Sequence, residues 1–388
     1  MRRLRRIGLV LLVLLVVAIA WEPTRAGLQT AVMLPNLLGA PVRPLDWFSD
    51  APQRTVIPYR TAVDGAEGDL AELWLPSWAS ADRRAGGILL VLGVNNVGRN
   101  HPVVARVAEG LARTGVAVLV PDSRTLLEGR LEVGEIDGVV RAFEALRDRP
   151  EVDPERIGIA GFSVGGSLAL LAAADPRIAD DVRWVNAFGA YADASTYLAS
   201  VSAHAYLEDG EPIDWEPSPL AREVYLRFVF DRVSDVGDRA LLEDEVGPAV
   251  LDGSRAAPDS SFRDRLETDE GRASYDLLTA RSLAAATEAI DALPAESRSF
   301  IAAISPVRHL DGLDADVFVM HETTDHHVPV VESRALVDAL GAGGVEVRTV
   351  SEFRLFDHVQ PDNLDVIAAA PELFRLLRHV RTLMEETL

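Results

Sequence analysis

The chain has no cysteine. A thiol nucleophile, a disulfide framework and a thiolate-bound metal are therefore excluded, and the absence is compatible with export without establishing it. Basic residues are scarce beside acidic ones. There are 38 Lys and Arg against 60 Asp and Glu, for a formal charge of -22. That balance argues against general nucleic-acid binding and against broad attraction to anionic lipid. No regular repeat is visible. The acidic clusters Glu243-Asp244-Glu245 and Asp264 to Glu270 lack a histidine at ligand spacing and read as solvated faces, not metal sites. A run long enough for a full membrane span of about 20 residues is also missing. The nearest approach is Ile7 to Trp21, an uncharged and largely aliphatic stretch behind Arg2, Arg3, Arg5 and Arg6. Charge followed by an apolar stretch is the form of an export signal. Residues 1–25 are accordingly expected to be a signal peptide, with Ala18-Ile19-Ala20 as a cleavage site, or an uncleaved membrane anchor. Either form predicts an extracytoplasmic protein, membrane-associated through residues 7–21 or secreted.

What the chain does contain is centred on residues 155–170. Ile157 to Ala160 is a short apolar run, Gly161-Phe162-Ser163-Val164-Gly165 has the pattern G-x-S-x-G, and small and aliphatic residues of helical type follow. Strand, abrupt turn and helix fit this order. Side chains at the flanking glycine positions would collide with neighbouring backbone in a turn that makes the serine oxygen project. The start of the following helix points free amides toward a developing oxyanion. Ser163 is the candidate nucleophile and the Val164 amide a candidate oxyanion donor.

The rest of the chain reads as an α/β fold with a mostly parallel central sheet flanked by helices. Thr55 to Arg60 and Leu70 to Leu75 predict an edge hairpin turning through Asp64 to Gly68. Gly87 to Leu92, Val116 to Val120, Val182 to Phe188 and Val317 to Met320 are apolar runs of buried parallel type. Helical spacing links them at Pro102 to Arg113 and Gly134 to Arg147. Residues 26–50, with Pro35, Pro41 and Pro44, are expected to be an irregular linker. The block 193–302 is too long for one crossover and predicts a helical cap inserted between the core parts 51–192 and 303–388. Such a cap can cover a pocket and select substrate.

Ligand contacts in such a sheet lie at the carboxyl ends of the strands. Gly93-Val94-Asn95-Asn96 follows one of them, so the Val94 or Asn95 amide is a candidate second oxyanion donor. The Asn95 or Asn96 side chain can alternatively face substrate or simply make the turn. A serine hydroxyl needs a base at neutral pH. Asp325 and His358 each lie beyond a later predicted strand, and the order Ser163, Asp325, His358 is the one that accompanies this elbow. Asp325 would fix the tautomer of His358 and stabilise its imidazolium. Asp357 adjoins His358 and is badly placed to orient it. His321, His326 and His327 suggest a metal, but adjacent residues point apart and no further ligand set accompanies them, so neither metal nor cofactor is expected.

These words also resemble a family. Val152-Asp153-Pro154-Glu155-Arg156-Ile157-Gly158-Ile159, Gly161-Phe162-Ser163-Val164-Gly165-Gly166, Ile304-Ser305-Pro306 and Asp325-His326-His327-Val328-Pro329 are similar to the α/β-hydrolases. The likeness is greatest to the dienelactone-hydrolase and acyl-peptidase branch, over about 85–190 and 303–375. The resemblance implies Ser163 as nucleophile, Asp325 as acid, His358 as base and Val164 as oxyanion donor. It departs in three places: Gly93-Val94-Asn95-Asn96 replaces a His-Gly or glycine run, serine replaces the cysteine of dienelactone hydrolases proper, and Glu322 stands where glycine is common. The expected activity is hydrolysis of a carboxylic ester through an acyl-enzyme. A peptidase, an acyltransferase and a non-catalytic hydrolase-like binding protein are the alternatives.

Overall fold

The computed structural model describes residues 25–37, 43–59, 69–254, 261–358, 360–361 and 370–388. The expected export segment, the turn of the edge hairpin and most of the stretch between His358 and the last helix lie outside them.

An eight-stranded sheet carries the fold, in the order β1-β2-β4-β3-β5-β6-β9-β10. The strands are β1 (Gln53–Pro58), β2 (Leu70–Leu75), β3 (Ala85–Val91), β4 (Ala117–Pro121), β5 (Val152–Phe162), β6 (Val182–Phe188), β9 (Asp316–Glu322) and β10 (Val347–Phe353). β1 pairs with β2, and β2 with β4, antiparallel; the remaining pairs are parallel. Every residue of β3 is buried, as a parallel strand covered on both faces requires. The main helices are α1 (Arg25–Leu37), α2 (Pro102–Thr114), α3 (Gly134–Arg147), α4 (Val164–Ala173), α5 (Ala194–Ala203), α6 (Pro219–Phe230), α7 (Val330–Gly343) and α8 (Ala370–Thr387), with others between α6 and β9 and single turns at Leu45–Phe48 and Arg124–Leu127.

Alternation along the strands divides the core. Leu89, Ile159, Val185 and Val317 face α3, α4 and α7, whereas Ile88, Ala160, Trp184 and Phe318 face α1, α2 and α8. α1 replaces part of the linker expected over 26–50. It packs on α2 and α8 with Ala31 and Met33 buried. Docking into that groove outweighs the poor local pattern, and Pro35 lies near the helix end, where its missing N–H removes one bond only. Among the described residues no helix is long and apolar enough to cross a membrane.

Among the described residues the segment between β6 and β9 holds α5, α6 and five further α-helices from Val236–Glu245 to Ala295–Ala303. Their limits differ from the sequence reading. Leu241 to Asp252 is split at Val246, and Tyr275 to Leu293 is split around Thr279 to Ser282. The block also contains an unexpected hairpin, β7 (Ala205–Glu208) with β8 (Glu211–Asp214). It turns through Asp209 and Gly210, both at positive φ, the conformation that a two-residue hairpin turn demands.

Candidate active site

The carboxyl ends of β3, β5, β9 and β10 converge. Ser163 follows β5 with φ 55° and ψ -132°, a backbone region that non-glycine residues rarely occupy. Its amide donates to Phe188 O at 2.7 Å, and its carbonyl accepts from Gly166 N at 2.8 Å. These two bonds hold the strained turn. The glycines around it are dictated by close approach. A Cβ at Gly165 would lie 2.4 Å from Val91 O, and one at Gly161 would lie 2.3 Å from Gly165 O.

The loop after β3 presses on the same serine. A Cβ at Gly93 would lie 2.8 Å from Ser163 Cβ and 3.3 Å from Ser163 Oγ. The Val94 amide that follows has no hydrogen-bond partner among the described residues. Val164 opens α4, so its N–H has no intrahelical acceptor. The Val94 and Val164 amides therefore belong to the two turns that meet at Ser163. The Asn95 side chain has another task. Its Nδ2 donates to Gly93 O at 3.0 Å, and its Oδ1 accepts from the amides of Val97 and Gly98. It makes the turn and is not a free amide for substrate. His101 likewise caps α2, accepting from Val103 N at 3.3 Å.

Asp325 is 3% exposed. Its Oδ1 accepts from His327 N at 2.6 Å and Val328 N at 3.1 Å, and its Oδ2 accepts from His358 Nδ1. Burial pushes this carboxyl up, but the charge and hydrogen bond of His358, the His321 ring and the His327 amide together hold it below the usual range. The bond to Asp325 engages His358 Nδ1, and His358 lines the same cavity as Ser163. Nε2 has no hydrogen-bond partner among the described residues, and His358 itself has φ 58°. The His327 ring stacks on it, 4.6 Å between centroids and 12° between planes.

Asp325, His327 and His358 each bring a ligand atom within 4.8 Å of the others. The Asp325 oxygens are already engaged by two amides and an imidazole, an arrangement suited to orienting a base. His321 stands apart in function. Its Nε2–H donates to Val328 O at 2.9 Å and its Nδ1 meets Ser333 Oγ. Burial lowers its basicity, so a neutral ring braces the Asp325 loop.

Sequence reading missed three supports. Glu322 is 1% exposed. One of its oxygens accepts from Leu355 N at 2.8 Å and the other from Thr324 N at 3.3 Å, tying the Asp325 loop to the His358 loop. Trp215 Nε1 donates to Asp325 O at 2.7 Å, and Tyr197 OH donates to His327 O at 3.0 Å. Both belong to the inserted block, which thus touches the acid loop directly. Only Glu322 left a signal, a carboxylate within an otherwise apolar strand end.

A family model for acetyl xylan esterase (AXE1) matches residues 136–208, which include the Ser163 turn. None of the curated proteins matches the sequence. A solved structure described as a dipeptidyl aminopeptidase IV of Bacteroides ovatus superposes with TM-score 0.53 and 15% identity, over 89% of this chain and 37% of that one. An acylaminoacyl peptidase gives 0.48 and 16%, over 87% and 41%. Esterase B of Lactobacillus rhamnosis gives 0.46 and 15%, over 86% and 87%. The chain spans less than half the length of the two peptidases, and at these identities the likeness is one of fold. The first of them extends over most of the chain and agrees with the sheet order and with the strand-turn-helix at Ser163: the chain has the α/β-hydrolase fold.

Proposed function

We propose that the protein is a serine hydrolase that cleaves carboxylic esters through an acyl-enzyme. The observation that carries this reading is a strained serine sharing one cavity with an imidazole whose far nitrogen is held by a buried aspartate. Ser163 Oγ attacks the carbonyl carbon while His358 Nε2 takes its proton. The amides of Val164 and Val94 receive the oxyanion. His358 returns the proton to the departing alcohol, then draws one from water, which releases the acid and frees Ser163. Asp325 keeps the ring in the required tautomer throughout. The esterase family segment favours an ester over an amide, and an ester needs less help for its leaving group.

A fluorophosphonate tests the reading. One covalent adduct is expected, on Ser163 by peptide mapping, lost in Ser163→Ala and strongly slowed in His358→Ala. A folded protein that takes no label would sink it. Panels of esters and aminoacyl amides then separate esterase from peptidase, and added alcohol separates hydrolysis from acyl transfer.

The same proposal includes export, supported by the arginines ahead of Ile7 to Trp21, with the inserted block acting as a cap over the site. The mass of the mature amino terminus distinguishes a cleaved signal from a retained anchor.

A further inference from the structure

Behind the Ser163 hydroxyl the cavity does not stop. It continues to about 390 Å³ between one face of the sheet and helices α1, α2 and α8. Its depth can be read from strand register. Leu92, Leu90 and Ile88 line it on the β3 side, and Phe188, Asn186 and Trp184 along β6. Each set runs from the strand end down four residues, about 13 Å at roughly 3.3 Å per residue. β5 is small where it faces this side. Ala160 lines the cavity, where a larger strand residue would fill it. A Cβ at Gly158 would lie 2.0 Å from the Trp184 ring, so the missing side chain makes room for that indole, which forms the floor farthest along β6 from the strand end. Trp184 Nε1 donates to Thr387 Oγ1 at 3.1 Å and is held there. Val104 and Val107 of α2 and Met33 of α1 form the opposite wall.

The wall offers little for a polar ligand to bind. Asn186 is the amide on the β6 side, and its Oδ1 accepts from His379 Nε2 at 2.9 Å. The other polar lining residues, Ser163, His358, His327, Asn95 and His101, belong to the loops and turns beyond the strand ends.

We propose that this cavity is an acyl-chain site and that the substrates are esters of medium-length, unbranched fatty acids of roughly 8 to 12 carbons. The inference rests on the serine-hydrolase reading and gives it a substrate class. Two measures agree on the length. At about 30 Å³ per carbon-sized group the volume holds about a dozen. An extended chain advances about 1.25 Å per bond, given tetrahedral angles and bonds near 1.5 Å, so about 13 Å takes roughly ten carbons. The chain entering the cavity is the acyl part. It stays covalently on Ser163 after the alcohol departs, and water must then arrive through the mouth. An alcohol seated against the Trp184 floor would have to leave past the acyl-enzyme, whereas a seated acyl chain leaves the mouth clear.

The test uses the full chain with p-nitrophenyl esters from acetyl to palmitoyl. The expected kcat/KM rises by up to about fourfold per methylene, peaks near decanoyl and falls by hexadecanoyl. Val107→Trp, and independently Ala160→Leu, shift the peak toward shorter chains. Octyl acetate should be poorer than methyl decanoate. Calorimetry of decanoate with Ser163→Ala reads the cavity without catalysis, and micromolar binding is expected. If acetyl esters turn over with no gain on lengthening, and decanoate does not bind, the acyl site is overturned while the hydrolase reading stands. If decanoate binds but no ester is cleaved, the hydrolase reading fails and the cavity assignment survives. A preference for octyl acetate overturns the assignment to the acyl side.

Discussion

At Glu322 one carboxylate does two jobs. It is buried, and it bonds to one loop through Thr324 and to another through Leu355, three residues before His358. A buried hydrogen bond to a charged group contributes about 1.5–3 kcal/mol. Glu322→Gln keeps one acceptor oxygen and loses the other, so the two loops are no longer held by one rigid group. The expected result is kcat lowered by between about tenfold and a hundredfold, since small misplacement of reacting groups is costly. KM for a short ester should change little. A rise in KM with unchanged kcat would show that Glu322 shapes binding and does not position the base. Trp215→Phe keeps the packing and removes only the donor to Asp325 O. It should lower kcat by less, roughly threefold to tenfold, and lower the melting temperature by a few degrees. The tight turn at Ser163 and the meeting of Asp325 with His358 were legible because each residue follows a strand and the elbow pattern supplied the order. Glu322 and Trp215 were not, because nothing local to either states which loop it will meet.

Between α5 and α7 lies a clamp. Glu332 is fully enclosed and accepts from Ala192 N at 2.9 Å, Asp193 N at 3.2 Å and Thr196 Oγ1 at 2.6 Å, so it fastens the start of the inserted block to the core. Burial, opposed by those three donors, pushes its carboxyl up to about 7. The folded protein holds this proton more tightly than the unfolded chain. The contribution to stability is therefore complete below about 4.5 and is lost as pH rises to about 7. Glu332→Gln resembles the protonated form. Its melting temperature should match the parent near pH 5 and exceed it by a few degrees at pH 8; equal values at both would refute the buried-charge account. The block that Glu332 fastens was only half legible. Its helices announced themselves by spacing, but their ends did not, because caps such as Asp235, Thr268 and Ser282 look like any polar residue until a free amide meets them. The hairpin at Asp209-Gly210 had a readable turn flanked by short strands with little alternation. α1 had no readable pattern because its partners, α2 and α8, are distant in sequence.

Taken whole, the molecule sets opposing titrations against one another. His379 joins α8 to the sheet, its Nε2–H donating to Asn186 and its Nδ1 accepting from Ser351. Burial, helped by the Arg378 charge, lowers it to about 3. The unfolded chain takes that proton from about 6.5 downward, so stability falls on acidification through the window from 6.5 to 3. His321, buried and lowered in the same sense, adds to His379. Glu332 acts in the reverse sense between about 4.5 and 7. Melting temperature should therefore climb up to about pH 4.5, climb more gently to about 6.5 and drop slightly beyond. In Glu332→Gln the climb between about 4.5 and 6.5 should steepen. A variant curve no steeper than the parent's over that range would contradict the balance. The central sheet could be read from composition and period, because parallel strands buried on both faces are apolar throughout. The space beside it could not, since Gly158 and Ala160 look like ordinary strand residues until Trp184 is seen beneath them. That indole gives the fold a built-in optical reporter. It is 1% exposed, in contact with the Phe318 ring and fixed by Thr387. Its emission should change when a hydrocarbon tail arrives and recover as the product leaves. Rapid-mixing traces on unlabelled protein would then follow occupancy in real time, and the signal should vanish in Trp184→Phe.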